Sequence, residues 1–264
     1  MRRPARLGAR HAAMYGDPSV AISYQNRPPY PDETIHVLAD LLPAGCRRVL
    51  DVGCGTGFIA RPLAGLVEAV DALDPSAAML EVGKQLPGGD RSNLRWLLGS
   101  AEDGALQPPY GLVIAASCFH WLQWDVVLPR FAEVLVPEGF LAVVQPKERG
   151  GPDLRKLIPQ YSTNQDFEVD DDYDWRAELV RRGLMTPVGV RENAWTMFRQ
   201  SFDDFVDGQH SMGGLSRERM GPHRLAEFDR ELRAILAQTY PSGQVEMEVS
   251  AVVGWVRPGT GRPA

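Results

Sequence analysis

The stretch Val49-Leu50-Asp51-Val52-Gly53-Cys54-Gly55-Thr56-Gly57-Phe58 decides the fold of this chain. Its first four residues are mostly apolar and β-branched, which predicts a buried strand. Alternating glycines follow, then apolar residues at helical spacing, so a tight turn and a helix are expected. Strand, glycine turn and helix in this order predict a ligand site at the carboxyl end of a parallel strand. Glycine suits such a site because it permits positive φ and exposes bare backbone.

The residues around the turn indicate which ligand is bound. The Gly-x-Gly-x-Gly spacing over 53–57 differs from Gly-x-Gly-x-x-Gly, whose third glycine would stand where Phe58 is found. Asp51 would repel a pyrophosphate, and the loop has no Lys or Arg before Arg61. A carboxylate suits a cationic ligand, and S-adenosylmethionine carries a sulfonium and an α-ammonium. We therefore predict S-adenosylmethionine, with a purely structural glycine turn as the alternative.

The composition is that of an ordinary globular protein and limits the partners. The 264 residues are 44% hydrophobic and carry a net charge of −6, which disfavours nucleic acid. Cys46, Cys54 and Cys118 have no zinc-like spacing, so we expect reduced thiols, no metal and a cytoplasmic location. No apolar stretch has the length of a membrane span. A small-molecule partner, no membrane, and a monomer or homodimer are expected.

Residues 49–57 resemble the first motif of class I S-adenosylmethionine-dependent methyltransferases, without departure. Within that class the chain is similar to the small-molecule group that includes trans-aconitate methyltransferase-like enzymes. The resemblance implies methyl transfer to a hydroxyl, thiol, amine or carbon, with S-adenosylhomocysteine as product. Aromatic residues in the second half favour a flat or apolar acceptor, such as a specialised metabolite. The alternatives are a cyclisation or elimination that uses the same cofactor, a nicotinamide oxidoreductase, and a non-catalytic binding protein.

The alternation of predicted strands and helices, together with the resemblance, predicts an α/β fold. We expect a doubly wound, Rossmann-like sheet of seven mostly parallel strands, with a small helical cap inserted after strand five. The expected parts are a disordered tail, an N-terminal lid and helix, the cofactor-binding core, the cap, and the C-terminal part of the sheet. They cover residues 1–14, 15–46, 47–150, 151–187 and 188–264, respectively.

Several side chains are assigned to the cofactor. Asp74 ends the second predicted strand, where a ribose lies in a doubly wound sheet, with a helix cap as its alternative role. The resemblance implies that Arg27 pairs with the methionine carboxylate beneath a lid of Tyr15 and Tyr24; a linker with packed tyrosines is the alternative. Relatives carry Asp where Ser100 stands, so this hydroxyl is expected to contact adenine more weakly.

The loop after the central strand is predicted to face the transferring methyl group. Backbone carbonyls near Ala116 are expected to hold the α-ammonium. His120 is the one histidine of this loop, and as a neutral imidazole it could take a proton from the acceptor. Between its aromatic neighbours Phe119 and Trp121 it could equally be a packed pocket wall.

The complete predicted site is large. The cofactor residues are Tyr15, Tyr24, Arg27, Asp51, Gly53, Cys54, Gly55, Gly57, Asp74, Pro75, Met79, Ser100, Ala101, Glu102, Ala116, Ser117 and His120. The acceptor residues are Tyr15, Trp121, Tyr161, Trp175, Trp195 and His210, with core packing as the alternative for the aromatic ones and a helix-end hydrogen bond for His210. The acidic run at 170–174 is expected to be a solvated helix start rather than a magnesium site.

Overall fold

The computed structural model describes residues 13–164 and 175–259. Its strands are β1 Arg48–Val52, β2 Ala69–Asp74, β3 Leu94–Leu98, β4 Tyr110–Ala116, β5 Leu135–Arg149, β6 Met185–Glu192, β7 Thr196–Ser201 and β8 Gln244–Pro258. Its α-helices are α1 Pro18–Tyr24, α2 Asp32–Asp40, α3 Ala60–Leu63, α4 Ala77–Gln85, α5 Trp124–Val134, α6 Leu157–Tyr161, α7 Trp175–Arg181, α8 Phe202–Gln209, α9 Arg217–Met220 and α10 Pro222–Thr239. The predicted tail, up to residue 12, and the acidic run at 170–174 lie outside the described residues.

The strands form one mixed sheet in the order β3-β2-β1-β4-β5-β8-β6, and β7 also pairs with β8. The first five are parallel, and β8 runs antiparallel to β5, β6 and β7. The strand order reverses between β1 and β4, which makes the sheet doubly wound. The α/β prediction is confirmed. The expected count of seven is corrected to eight, because the single strand predicted near 188–199 is two strands that both pair with β8.

Helices cover both faces of the sheet because its central strands are apolar on both sides. Val49 packs with Leu38 and Leu63 on one face, while its neighbour Leu50 packs with Phe131 on the other. Successive side chains of a strand point to opposite faces, so β1 contributes to both cores. Because β1, β2 and β4 are parallel, their carboxyl ends lie at one edge of the sheet, where the glycine turn begins.

Strand β5 is longer than its sequence predicts. We expected Phe140–Val144, a break at 137–139 and a polar connection at 145–153. In the structure β5 spans Leu135–Arg149, with an irregular register against β4 near residues 137–139. Its last five residues extend beyond β4 and pair with β8 instead. Tertiary pairing therefore overrides the weak strand propensity of the polar segment, and the extension rises above the carboxyl edge of the sheet.

One helical prediction also changes. The helix after the glycine turn is only α3, because the chain turns at Gly65, and Leu66 beyond this turn is exposed. The cap contains the short helices α6 and α7. A third core joins α6, α8 and α10 to the first half of β8. Within 13–164 and 175–259, no helix has the length and apolarity that crossing a membrane requires.

Candidate functional site

The glycine turn leaves β1 with a backbone that side chains would obstruct. Gly53 and Gly57 have φ of 60° and 82°, in the left-handed region that favours glycine. A Cβ on Gly53 would lie 2.8 Å from the Cβ and Sγ of Cys118, and one on Gly57 would lie 2.6 Å from the Trp96 ring. Gly55 instead faces the ring of Tyr24 at an ordinary contact distance. Two glycines are thus fixed by packing, and the third exposes bare backbone to the lid.

Asp51 is buried beneath this turn without a partner. The residue is 1% exposed, and neither carboxylate oxygen accepts a hydrogen bond of good geometry from the described residues. Burial and the nearby charge of Asp74 raise its pKa to about 8, against a smaller opposing effect of the Ala60 N–H. An unpaired buried carboxylate is costly, so the site is suited to a ligand that brings a positive charge.

Asp74 has a structural role, but its carboxylate oxygens can accept further hydrogen bonds. Oδ2 accepts the N–H of Gly55 and Oδ1 accepts the N–H of Ser76, both at 2.8 Å. Each oxygen keeps a lone pair, so a ribose diol remains a feasible partner. Pro75 lies between these contacts, and Ser76 caps α4. Met79 is fully buried against Val20 and Ala21 of α1, so it supports the lid.

The segment predicted to hold adenine is partly occupied by its own contacts. Ser100 Oγ donates to Asp103 Oδ1 at 2.5 Å. Glu102 accepts the N–H of Gln123 at 2.9 Å, and Ala101 is buried. Asp103, which the sequence reasoning passed over, places a carboxylate beside Ser100 where relatives carry Asp. The Ser-x-x-Asp spacing was the signal that could have found it.

The N-terminal segment forms a lid over the turn. Tyr24 packs against Phe58 with ring centroids 5.9 Å apart, and the Arg27 guanidinium lies 4.3 Å from the centroid of the Tyr24 ring. Arg27 Nε and Nη2 donate to the hydroxyl and carbonyl of Ser211 at 2.6 and 2.9 Å. One edge of the guanidinium is therefore used by Ser211, and Tyr15 also interacts with the group. The remaining donors could bind a carboxylate.

The loop after β4 carries a strained residue. Ser117 has φ of 57°, which is unusual for a non-glycine residue, and such strain is concentrated at functional sites. Its hydroxyl shares a 2.8 Å hydrogen bond with the Tyr30 hydroxyl, and its N–H donates to Val144 O. Ala116 ends β4 immediately before it. The following turn, Phe119–Trp121, places the His120 and Trp121 rings 4.4 Å apart on a cavity wall.

A cavity of about 1270 Å³ lies between the lid, this loop, the extension of β5 and helix α8. It brings together six of the predicted site residues, which are Tyr15, Tyr24, Arg27, Ser117, His120 and Trp121. Sequence reasoning missed Tyr30, Phe58 and Glu148, which also line it. Tyr30 lies three residues after Arg27, whose assigned role could have drawn attention to it, whereas Glu148 carried no local signal because it was placed in a connection.

Three of the predicted acceptor residues lie away from the cavity lining. Tyr161 turns into the third core, where its hydroxyl donates to Glu231 at 2.8 Å. His210 is fully buried, and its two ring nitrogens lie 2.8 Å from Leu215 O and Asp229 Oδ1. Trp195 lies under Arg149, away from the cavity lining. Trp175 begins α7, but its side chain lies outside the described part of the chain, so its role stays a prediction.

The doubly wound sheet, the glycine turn and the buried Asp51 define a nucleotide-type site at the carboxyl edge. Residues 49–139 also match the family described as methyltransferase domain. Together these observations identify this part of the chain as a class I methyltransferase domain, of the S-adenosylmethionine-dependent type. They confirm the class that the first motif predicts.

Particular relatives extend the comparison. An uncharacterized methyltransferase of Mycobacterium tuberculosis is 38% identical over 122 residues, covering 46% of this chain and 47% of the relative. The chain thus spans about half the length of this curated relative. The trans-aconitate 2-methyltransferase of the same species is 29% identical, covering 85% of this chain and 88% of that protein. A solved structure from Anaeromyxobacter dehalogenans, a candidate type II methyltransferase, has a TM-score of 0.61 at 22% identity; it covers 90% of this chain and 99% of that one, and supports the fold.

Proposed function

We propose that this protein is an S-adenosylmethionine-dependent methyltransferase that acts on a small molecule. The unpaired buried carboxylate of Asp51 beneath the glycine turn is the observation that carries the proposal. A cationic cofactor would supply the charge that this carboxylate lacks. The match of residues 49–139 and the similarity to a trans-aconitate 2-methyltransferase support the same conclusion.

The charges and hydrogen-bonding groups of the residues at this site match those of S-adenosylmethionine. Asp51 would hold the ammonium, the open edge of Arg27 the carboxylate, and Asp74 the ribose hydroxyls. Ser100 and Asp103 supply hydrogen-bonding groups for the amino group of adenine. When bound, the cofactor supplies a methyl group on a sulfonium, which is already activated for transfer.

The protein's task is then to align the acceptor and exclude water. Such alignment can supply about 7–11 kcal/mol of the barrier reduction. The cavity beside His120 and Trp121 encloses enough space for a drug-sized acceptor. His120 would serve as general base for an acceptor that must lose a proton. A small molecule is favoured over nucleic acid because the chain carries a net charge of −6. The free cysteines support a cytoplasmic location.

Calorimetric titration tests the cofactor. We expect S-adenosylmethionine and S-adenosylhomocysteine to bind the native protein in the micromolar range. Asp51→Asn should weaken S-adenosylmethionine at least tenfold, since the ammonium loses its counter-charge. Asp40→Asn, an exposed change of the same chemistry, should bind normally. Absence of binding below millimolar concentration for both ligands would overturn the proposal. Isotope-labelled methyl that never reaches any product of a turning-over acceptor would instead favour a cyclisation or elimination.

A further inference from the structure

The part of the sheet formed by the extension of β5 with β6, β7 and β8 has two faces of opposite character. On its outer face, charged residues form ion pairs between strands. These pairs are Arg149–Glu248, Arg199–Glu246 and Lys147–Glu192, with N–O distances of 2.7 to 2.8 Å. On the inner face the neighbours are apolar, because Val245, Met247 and Val249 belong to the third core.

Glu148 belongs to the inner face. It pairs in register with Val249, so both side chains point to the same side of the sheet. Its side chain opens into the cavity, as do Pro146, Met247 and Gln200. Among the described residues, Glu148 has no hydrogen-bond or ion-pair partner. Its surroundings raise the pKa of the carboxyl by desolvation, which the charge of Arg27 opposes in part.

The other charged side chains of the cavity are already partnered. Arg27 donates twice to Ser211, and Arg155 makes an ion pair with Asp153 at 2.7 Å. Since the remaining donors of Arg27 are assigned to the cofactor carboxylate, Glu148 is the charged side chain that the cavity lining, in the described part of the chain, leaves for the acceptor. Glu148 is exposed in the structure, so its charge is accessible to a ligand, and the natural partner of a carboxylate is a cation.

The position of Glu148 also indicates how long a bound acceptor would have to be. Val144, at the end of the parallel part of β5, accepts the N–H of Ser117 beside the His120 loop. Glu148 lies four residues further along the same strand, which corresponds to ~13 Å at about 3.3 Å per residue. The backbone of Glu148 is thus separated by about this distance from the point at which β5 contacts the segment before the His120 loop.

We propose that the cavity selects elongated acceptors with an apolar body and a basic nitrogen at one end, and that Glu148 binds this nitrogen. The inference rests on the proposed function, because it takes the His120 loop as the methyl-transfer end. Since Glu148 is distant from that loop, the nitrogen it holds is not the methylated atom. Glu148 is a specificity residue.

The competing explanation is that Glu148 merely balances the charge of Arg27. The two explanations predict that a Glu148 variant loses different properties. A group that binds the acceptor affects acceptor preference, whereas a counter-charge to Arg27 affects the affinity for the cofactor carboxylate. Glu148→Gln removes the charge while keeping size and hydrogen-bonding capacity, so it separates them. Glu248→Gln is the matched control, because it changes the same residue type on the outer face.

The test is a titration of the protein, saturated with S-adenosylhomocysteine, with three matched probes. They are 4-phenylbutylamine, 4-phenylbutan-1-ol and 5-phenylpentanoate. We expect the amine to bind at least tenfold tighter than the other two. Glu148→Gln should abolish this preference and leave the affinity for S-adenosylhomocysteine within twofold of native. Glu248→Gln should keep the preference.

Three results overturn the inference. The first is an alcohol or carboxylate that binds the native protein as tightly as the amine. The second is a preference for the amine that survives Glu148→Gln. The third is a variant that loses S-adenosylhomocysteine affinity while keeping the amine preference, which would establish the counter-charge explanation. If S-adenosylhomocysteine fails to bind the native protein, the proposed function fails, and the same titrations without it still decide whether Glu148 recognises the amine.

Discussion

Asp51 couples ligand binding to the pH. Its pKa of about 8 means that the carboxyl is mostly protonated at pH 7 in the free protein. A ligand ammonium at this site would lower the pKa and drive the proton off. Binding at pH 7 should therefore release close to one proton, and affinity should rise with pH up to about 8.

Calorimetry in buffers of different ionisation enthalpy measures this proton directly. The observed binding enthalpy should vary with the buffer for the native protein and lose most of that dependence in Asp51→Asn. An enthalpy that is the same in all buffers for the native protein would show that Asp51 does not respond to the ligand.

The same residue should limit the stability of the free protein. Its folded pKa lies above the ordinary value near 3.8, so ionisation of Asp51 opposes folding. The penalty is absent below about pH 4, grows as the pH rises and is complete above pH 8. Asp51→Asn should thus raise the melting temperature by a margin that increases between pH 5 and 8. The gain in the free energy of unfolding at pH 8 should be on the order of a few kcal/mol. Thermal unfolding of both proteins across this range checks the trend.

At the scale of elements, the glycine turn is intolerant of side chains. Gly57→Ala forces positive φ on alanine and places its Cβ against Trp96. We expect destabilisation of roughly 1–3 kcal/mol, with weaker cofactor binding. Gly16→Ala, where no atom lies within 4 Å of the new Cβ, is the control and should unfold like the native protein. Denaturant unfolding of both variants provides the comparison.

The lid is fastened to the C-terminal part of the chain by polar contacts. Asp17 pairs with Arg219 and accepts from Ser216, Ser19 contacts Glu218, and Asn26 donates to Asp207. These contacts hold α1 over the glycine turn, because they join both ends of the segment to α8 and α9.

Asp17→Ala should therefore speed the release of S-adenosylhomocysteine more than it slows its capture. Several contacts remain, so a loss of about three- to tenfold in affinity is expected, in line with one partly buried pair. Stopped-flow measurement of both rate constants checks this. Glu81→Ala breaks an exposed pair with Lys84 on α4, and it should change neither rate.

For the whole molecule, these contacts predict that distant segments respond to the cofactor together. Hydrogen exchange should slow in residues 17–27 and in residues 207–219 when S-adenosylhomocysteine binds, although the two segments are far apart in sequence. The outer strands β6 and β7 should exchange as before. Protection confined to the glycine turn would mean that the lid does not participate in binding.

Local sequence patterns predict those elements whose structure is determined by residues close to them in the sequence. The strands β1 to β4, Asp51, Asp74 and the His120 loop follow from apolar runs and the strands' carboxyl ends. The strand at 145–149 does not, and the segment 185–201 is predicted as one strand rather than two, because both depend on pairing with β8, near the other end of the chain. The same dependence hid Glu148, since no pattern within 145–153 indicates which face a paired strand presents to a cavity.

Aromatic and histidine side chains show the same limit. Tyr161 and His210 were assigned to the acceptor because aromatic and imidazole groups often line pockets. Their direction depends on how α6 and α8 pack on α10, which brings them to Glu231 and Asp229 instead. Composition identifies such residues, but only tertiary packing decides between core and cavity.

The position of Tyr24 has a kinetic consequence. Its ring covers Gly55 and also forms part of the cavity wall, so one displacement of α1 would uncover both compartments. The spent cofactor and the methylated product would then leave during the same opening. Turnover would be governed by the frequency of that opening, and an acceptor that reached the cavity first would obstruct the entry of the cofactor behind it.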